Sequence, residues 1–115
     1  MVARLVVNER NWTDARDYCI SLDMRLMEVR SDSDFEAAQD VRRELGQVMW
    51  LGGSHNEAEG AWVWESDGSA INMTRFWHPD RPKDDNRKYL ALNRYFNLVD
   101  SKGEATRKFA CVYND

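Results

Sequence analysis

The segment VMWLGGSHNEAEGAWVWESDG, residues Val48–Gly68, decides the fold. Its apolar residues fall in two short runs, Val48–Leu51 and Ala61–Trp64, which are followed by the turn-forming pairs Gly52-Gly53 and Asp67-Gly68. Runs of this length are typical of strands, since helices need ten or more residues. The segment therefore predicts a buried strand that ends at the two glycines, a second strand, and a tight turn.

Upstream of this segment, two amphipathic patterns predict helices, after a short strand at Arg4–Asn8. The first helix is expected to start at a cap on Asn11 or Thr13 and to run to about Leu22. The second is expected to start at Ser31 or Ser33 and to end at Gly46. The apolar residues recur every three or four positions: Trp12, Ala15, Cys19 and Leu22 in the first helix, and Phe35, Ala38, Val41 and Leu45 in the second.

Downstream lies a long polar stretch, Asn72–Lys88, with two prolines and with seven charges between Asp80 and Lys88. Such a stretch is too polar for a strand and too interrupted by proline for a helix, so it predicts a long loop. Three strands are expected after it, at Tyr89–Asn93, Phe96–Val99 and Lys108–Tyr113, with a turn at Ser101–Glu104. The order predicts an α+β fold, with two helices packed on antiparallel sheets and a long loop region.

Length and composition limit the function. A chain of 115 residues supports one domain, spanning residues 1–115. The net charge of −4 and the pI of about 5.2 give no general attraction to nucleic acids. No apolar run approaches the length of a membrane span, so no membrane insertion is expected. The two cysteines, Cys19 and Cys111, are either one bridge or two free thiols on this reasoning alone.

Five spaced motifs resemble the C-type lectin-like domain family over nearly the whole chain. They are Trp12, Ala15 and Cys19 on the first helix; Met49-Trp50-Leu51-Gly52-Gly53; Glu59-Gly60-Ala61-Trp62-Val63-Trp64 with Asp67-Gly68; Phe76-Trp77 at the start of the long loop; and Phe109-Ala110-Cys111. The simplest interpretation of Trp50, Trp62, Trp64 and Trp77 is that they fill a core, and the resemblance agrees with it.

The resemblance implies a disulfide between Cys19 and Cys111, because family members join the cysteine of the first helix to that of the last strand. By loop entropy, a bridge across this separation would stabilise the fold by about 4 to 5 kcal/mol. A disulfide needs an oxidising compartment, so a secreted or extracellular location is expected.

The resemblance also identifies a missing calcium site. In sugar-binding relatives, Glu-Pro-Asn or Gln-Pro-Asp in the long loop holds a Ca²⁺ that in turn binds sugar hydroxyls. Here the matching segment is Arg81-Pro82-Lys83, and Asp100 alone survives as an oxygen ligand at the other matching positions. Calcium requires six to eight oxygen ligands, and two cations beside it would repel it. We therefore expect no calcium at the sugar site and no required cofactor.

A second metal position in some relatives matches His55, Glu59 and Asp84 in this sequence. One imidazole with carboxylates suits Zn²⁺ better than Ca²⁺. Two interpretations are open here: a zinc site, or two exposed loops with ordinary charges.

The long loop and its surroundings supply the candidate ligand-binding residues. They are Trp77, His78, Arg81, Lys83, Asp84, Asp85, Asn86, Lys88 and Asp100. Arginine and lysine bind carboxylate, phosphate or sulfate groups, while carboxylate and amide oxygens accept hydrogen bonds from hydroxyls. The alternative is an ordinary solvated charged face with no binding role.

The sequence thus predicts a lectin-like recognition domain that binds surface glycans without calcium. The resemblance suggests microbial cell-wall polymers as ligands and a role in innate immune recognition. The alternative is a protein-binding module in which Trp77, Tyr95 and Phe96 anchor a partner chain. Enzymatic activity is not expected, because the chain offers no nucleophile paired with a base.

Overall fold

Both helices begin at capping residues that the sequence predicts, and the second ends at the predicted Gly46, in a computed structural model that describes residues 3–72, 76–78 and 87–114. Helix α1 spans Trp12–Ser21, and the Asn11 side chain accepts a hydrogen bond from the backbone N–H of Asp14 at 2.8 Å. Helix α2 spans Asp32–Leu45 and is capped by the Ser31 hydroxyl. Gly46 ends α2 with a left-handed φ of 76°, a conformation that glycine adopts without strain.

Seven strands lie in the described part of the chain: β1 Ala3–Arg10, β2 Met24–Leu26, β3 Met49–Asn56, β4 Ala61–Trp64, β5 Tyr89–Leu92, β6 Leu98–Ser101 and β7 Arg107–Tyr113. The sequence pattern missed β2, whose three residues are too short to show a period. It also placed β6 two residues early, at Phe96–Val99. Phe96 has a φ of 64° and belongs to the turn before the strand.

The strands form one mixed sheet, in the order β1-β7-β3-β5-β6, with β2 paired to β7 and β4 paired to β3. The pairing of β3 with β7 is parallel, whereas the other strand pairs are antiparallel. The predicted α+β fold with two helices is confirmed. The parallel pairing is the difference, because it joins the expected antiparallel sheets into one.

Alternation along the central strands creates two cores on opposite faces of the sheet. On β3, Met49 and Leu51 pack in the cluster that contains the apolar face of α2, while Trp50 packs with the apolar face of α1. Strand β7 divides its residues in the same way, with Ala110 on the α2 side and Phe109 on the α1 side. The two helices therefore cover opposite faces of the sheet.

The predicted disulfide is present and fixes α1 to the sheet. Cys19 on α1 is bonded to Cys111 on β7, with a Cα–Cα distance of 5.4 Å and a separation of 92 residues. Both residues are fully buried in the α1-side core. The bridge closes nearly the whole chain into one loop, and by loop entropy it stabilises the fold by about 4 to 5 kcal/mol.

Strand β3 continues through the two glycines instead of ending there. A Cβ atom on Gly53 would lie 2.8 Å from Leu90 Cδ2, and one on Gly52 would lie 3.0 Å from the Leu26 carbonyl oxygen. The glycines are thus required by the close approach of neighbouring chain segments, and they do not mark a turn. The extra length carries β3 to Asn56, at the edge of the candidate site.

A buried carboxylate, Glu28, ties the turn after β4 to the segment that follows β2. Its side chain is 1% exposed and accepts hydrogen bonds from the backbone N–H and the hydroxyl of Ser66, at 3.0 and 2.8 Å. The guanidinium of Arg30 pairs with both Glu28 and Asp67 at 2.8 Å. Because the buried charge is fully bonded, it fixes the turn instead of destabilising the fold.

Candidate functional site

Two half-buried tryptophans, Trp62 and Trp77, are in contact with each other near the start of the long loop. Trp77 forms a bridge with Leu98 of β6, and the next residue, His78, donates its backbone N–H to the Leu98 carbonyl at 3.0 Å. Trp62 on β4 meets Trp77 edge to face, with ring centroids 5.3 Å apart. Phe76 stacks on Phe35 of α2 at 3.9 Å, which anchors the start of the long loop.

The aromatic pair has a charged edge at the end of β3. His55 meets Trp62 edge to face at 5.6 Å, and its backbone N–H donates to the Lys88 carbonyl at 2.9 Å. Its ring Nδ1 lies 2.5 Å from Glu57 Oε1, and since a carboxylate only accepts, this nitrogen carries the proton. Lys88 Nζ lies 3.1 Å from the same oxygen. We call His55, Glu57, Trp62, Trp77, His78 and Lys88 the loop-side surface.

The hydrogen bond from His55 and the ion pair with Lys88 lower the pKa of Glu57 below its usual range. Glu57 is therefore ionised at neutral pH and accepts hydrogen bonds. Its side chain is 67% exposed, against 35% for Lys88 and 21% for His55. The loop-side surface thus presents an anion and a cation at the rim of partly exposed aromatic rings.

The structure brings some of the predicted ligand residues together. Trp77, His78 and Lys88 lie on the loop-side surface, while Asp100 on β6 is 2% exposed. Because Asp100 is buried, its side chain offers little surface to an outside ligand. The remaining five predicted residues, Arg81, Lys83, Asp84, Asp85 and Asn86, lie outside the described residues.

The predicted metal ligands are partly separated. His55 contacts Glu57, whereas Glu59 lies in the turn after β3, where its backbone N–H donates to the side-chain oxygen of Asn56. Within residues 3–72, 76–78 and 87–114, no group of three histidine, cysteine or acidic side chains is arranged to hold a metal ion. Asp84 lies outside these ranges, so the zinc site stays a prediction.

Sequence reasoning missed two members of the loop-side surface. Glu57 lies in the turn that follows β3, so strand alternation does not place it beside His55, and its contact with the imidazole depends on the turn geometry. The second is Trp62, which the sequence assigns to the core with Trp50, Trp64 and Trp77; of these four, Trp77 alone is also a candidate ligand-binding residue. Trp50 and Trp64 are buried, at 0% and 2% exposure, whereas Trp62 and Trp77 remain partly exposed at the edge of the core.

This arrangement suits a polar ligand with an apolar side. Aromatic rings contact apolar C–H surfaces, while Glu57 and Lys88 can form charge-assisted hydrogen bonds with hydroxyl, amino or acidic groups.

In the described ranges, no helix is long and apolar enough to cross a membrane.

Comparisons with known proteins agree with the fold. The model of the C-type lectin domain matches residues 8–112. The C-type lectin mosGCTL-7 of Aedes aegypti is 32% identical over 97 residues, which cover 77% of this chain and 64% of that protein. For the next relatives the covered share is lower, 43% for one and 54% for another, so the chain spans about half the length of the relatives it matches.

Solved structures share the fold at low sequence identity. The complex of SPL-1 with GlcNAc has a TM-score of 0.83 and 23% identity, covering 95% of this chain and 84% of that chain. A calcium-independent type II antifreeze protein has a TM-score of 0.81 and 21% identity, with coverage of 95% and 82%. With a family model that matches nearly its whole length, this chain belongs to the C-type lectin domain family.

Proposed function

We propose that this domain binds glycans at the loop-side surface and the adjoining long loop, without a calcium ion between protein and sugar. The observation that carries the proposal is the pair of partly exposed rings, Trp62 and Trp77, edged by the Glu57–Lys88 ion pair. A sugar ring has apolar C–H faces and hydroxyls at its rim, and this surface offers a partner for each.

The long loop adds the charges for acidic or amino sugars. Arg81 and Lys83 would bind acidic groups, and Asp84, Asp85 and Asn86 would accept hydrogen bonds from hydroxyl or amino groups. With Trp77, His78, Lys88 and Asp100, these residues form the proposed binding set. By the family resemblance, Arg81-Pro82-Lys83 matches the segment that carries calcium ligands in sugar-binding relatives, which supports binding without calcium. The structure of SPL-1 with GlcNAc supports glycan binding on this fold.

We propose further that the domain acts outside the cell as a recognition module and not as an enzyme. The Cys19–Cys111 disulfide supports an oxidising compartment. Microbial cell-wall polymers are the proposed ligand class, and recognition of microbes in innate immunity is the proposed role.

The test is binding of the whole chain to a glycan panel that includes microbial polysaccharides, in EDTA, in Ca²⁺ and in Zn²⁺. We expect binding that persists in EDTA and that weakens at least about fivefold in Lys88→Ala and in Arg81→Ala with Lys83→Ala. Arg4→Ala, which removes an exposed cation from the edge strand β1, is the matched control and should bind normally.

Each other outcome is informative. Binding that EDTA abolishes would refute the calcium-free mechanism. Binding that requires Zn²⁺ and is lost in His55→Ala would establish the zinc site. Binding that is equal in Lys88→Ala and Arg4→Ala would refute the loop-side surface as the binding site.

The second candidate is a protein ligand, and one cluster favours it. At the turn between β5 and β6, Tyr95 is 64% exposed and lies under the Arg94 guanidinium at 4.9 Å. Phe96 lies under Arg42 and Arg43 of α2, at 5.1 and 4.8 Å. Tyrosine and arginine are enriched at the energetic centres of protein interfaces.

Cell binding after two treatments separates the candidates. Periodate destroys sugar diols, and protease removes surface proteins. Binding that is lost after periodate and survives protease favours the glycan. Binding that survives periodate, is lost after protease and is lost in Tyr95→Ala favours the protein ligand.

A further inference from the structure

A pocket rich in positive charge lies between the β5–β6 turn and the turn that leads into β7. Its volume is about 380 Å³, large enough for a group the size of a monosaccharide. Its polar lining consists of Arg87, Asn93, Asp100, Ser101, Lys102 and Arg107. Three cations thus face one carboxylate. Asp100 is 2% exposed and lines the pocket together with Ser101, so the lining carries more positive than negative charge.

Arg107 is the central cation of this pocket. Its guanidinium lies 5.1 Å from the centroid of the buried Trp50 ring, and Nη2 donates to the Ser101 hydroxyl at 2.9 Å. Its Nε is buried and has no hydrogen-bond acceptor. No carboxylate of the described residues lies within 4.0 Å of its nitrogens. Burial lowers the pKa of Arg107, so the site destabilises its positive charge.

A second arginine increases the local positive charge. Arg10 on β1 is the direct cross-strand partner of Arg107, and like charges in that position repel each other. Its guanidinium lies 4.5 Å from the Tyr18 ring, and its Nε also lacks an acceptor. Glu9 attracts Arg107 electrostatically from outside ion-pair distance. A bound anion would supply the missing countercharge.

We propose that this pocket binds the oxyanion group, sulfate or carboxylate, of an acidic saccharide, with Arg107, Lys102 and the Ser101 hydroxyl as its donors. The guanidinium fork matches two oxygens of such a group, and the exposed Lys102 supplies a second charge at the pocket mouth. The saccharide part of this inference rests on the proposed function. The oxyanion part rests on the pocket alone.

The first test titrates the whole ¹⁵N-labelled chain with sodium sulfate and, at equal ionic strength, with sodium chloride. We expect a saturable shift of the Arg107 Nε–H resonance with sulfate and no saturation with chloride. The affinity should fall about threefold or more in Lys102→Ala and should be lost in Arg107→Gln, while Arg107→Lys retains part of it. Arg43→Ala, an exposed cation on α2, is the matched control and should bind as the unmodified chain does.

Equal responses to sulfate and chloride would overturn the proposal, as would unchanged sulfate binding in Arg107→Gln. If Arg107→Gln fails to fold, Lys102→Ala carries the test, because its side chain is exposed. Unchanged affinity in that variant, with no shift of the Arg107 resonance in the unmodified chain, also overturns it.

The second test compares a sulfated polysaccharide with its desulfated form. Tighter binding of the sulfated form that is lost in Arg107→Gln supports the saccharide assignment, and equal binding of both forms overturns it. Glycan binding that depends on Lys88 and not on Arg107 refutes the pocket and retains the proposed function. Sulfate binding at Arg107 in a chain that binds no glycan refutes the proposed function and retains the oxyanion site.

Discussion

Arg30 and Arg107 each lie beside a buried tryptophan, yet carboxylates of the described residues neutralise the charge of Arg30 and leave that of Arg107 without an ion pair. Arg30 is 6.0 Å from the Trp64 ring and forms ion pairs with Glu28 and Asp67. Arg107 is 5.1 Å from the Trp50 ring and has one hydrogen bond, to a hydroxyl. The hydrogen bond with Asp67 raises the pKa of Arg30, whereas burial lowers the pKa of Arg107.

The difference separates a structural role from a binding role. A neutralised network such as that of Arg30 fixes a turn and leaves no charge for a ligand. A half-buried cation without a carboxylate partner contributes little to stability and retains its charge for an incoming anion. The charge balance around each arginine, more than its burial, indicates which role it has.

The largest expected effect comes from replacing each arginine by methionine. Arg30→Met leaves the carboxylate of Glu28 buried without its main partner, so the free energy of unfolding should fall by about 3 kcal/mol. Arg107→Met removes a poorly neutralised charge and keeps an apolar contact with Trp50, so the change should stay within about 1 kcal/mol. Urea denaturation measures both. Equal losses would mean that Arg107 is as structural as Arg30.

Glu28→Gln should have the next largest effect, a loss of about 2 kcal/mol. The amide keeps one acceptor for Ser66 but no longer neutralises Arg30, which retains Asp67. The matched control is Glu44→Gln, on the exposed side of α2, for which urea denaturation should detect no change. A neutral result for Glu28→Gln would contradict a structural role for the network.

The acid side of the stability profile tests Asp67. Hydrogen bonds from Arg30 and Ser69 hold the pKa of Asp67 well below its ordinary value of 3.8. A lowered folded-state pKa contributes stability that is complete above the unfolded pKa and is lost as the pH falls below it. Between about pH 4 and pH 2, the melting temperature should therefore fall less steeply in Asp67→Asn than in the unmodified chain. Parallel curves would contradict the assignment.

The smallest effect is expected for an exposed pair of the same chemical type. Arg43 and Asp40 lie 2.9 Å apart on α2, with side chains 56% and 78% exposed. Asp40→Asn should change the free energy of unfolding by less than about 0.5 kcal/mol, because solvent screens such pairs. A larger loss by urea denaturation would mean that pairing alone, without burial, explains the contribution of Arg30.

Much of the fold was predictable because its signals are local. The caps Asn11 and Ser31, the stop at Gly46 and the alternation of Ala61–Trp64 each act within a few residues. The failures share a cause. Gly52 and Gly53 suggested a turn, whereas neighbouring chain segments require them to lack side chains.

The candidate site was predictable only in part. The motif order identifies Trp77, and His78 and Lys88 follow from the charged loop around it, but the binding role of all three stays a prediction. The partnership of Glu57 with both His55 and Lys88 depends on β3 and the end of the long loop meeting in space. The Arg107 pocket was not predictable for the same reason, since its lining comes from four separate stretches of chain.

By itself, the sequence determined the two helices, most of the strands and the family. These features depend on residue type and spacing, which the chain carries directly. The tertiary structure alone decided which arginines are neutralised. That depends on long-range contacts, such as the 2.8 Å pair of Arg30 with Asp67, which lie 37 residues apart, and no local pattern records them.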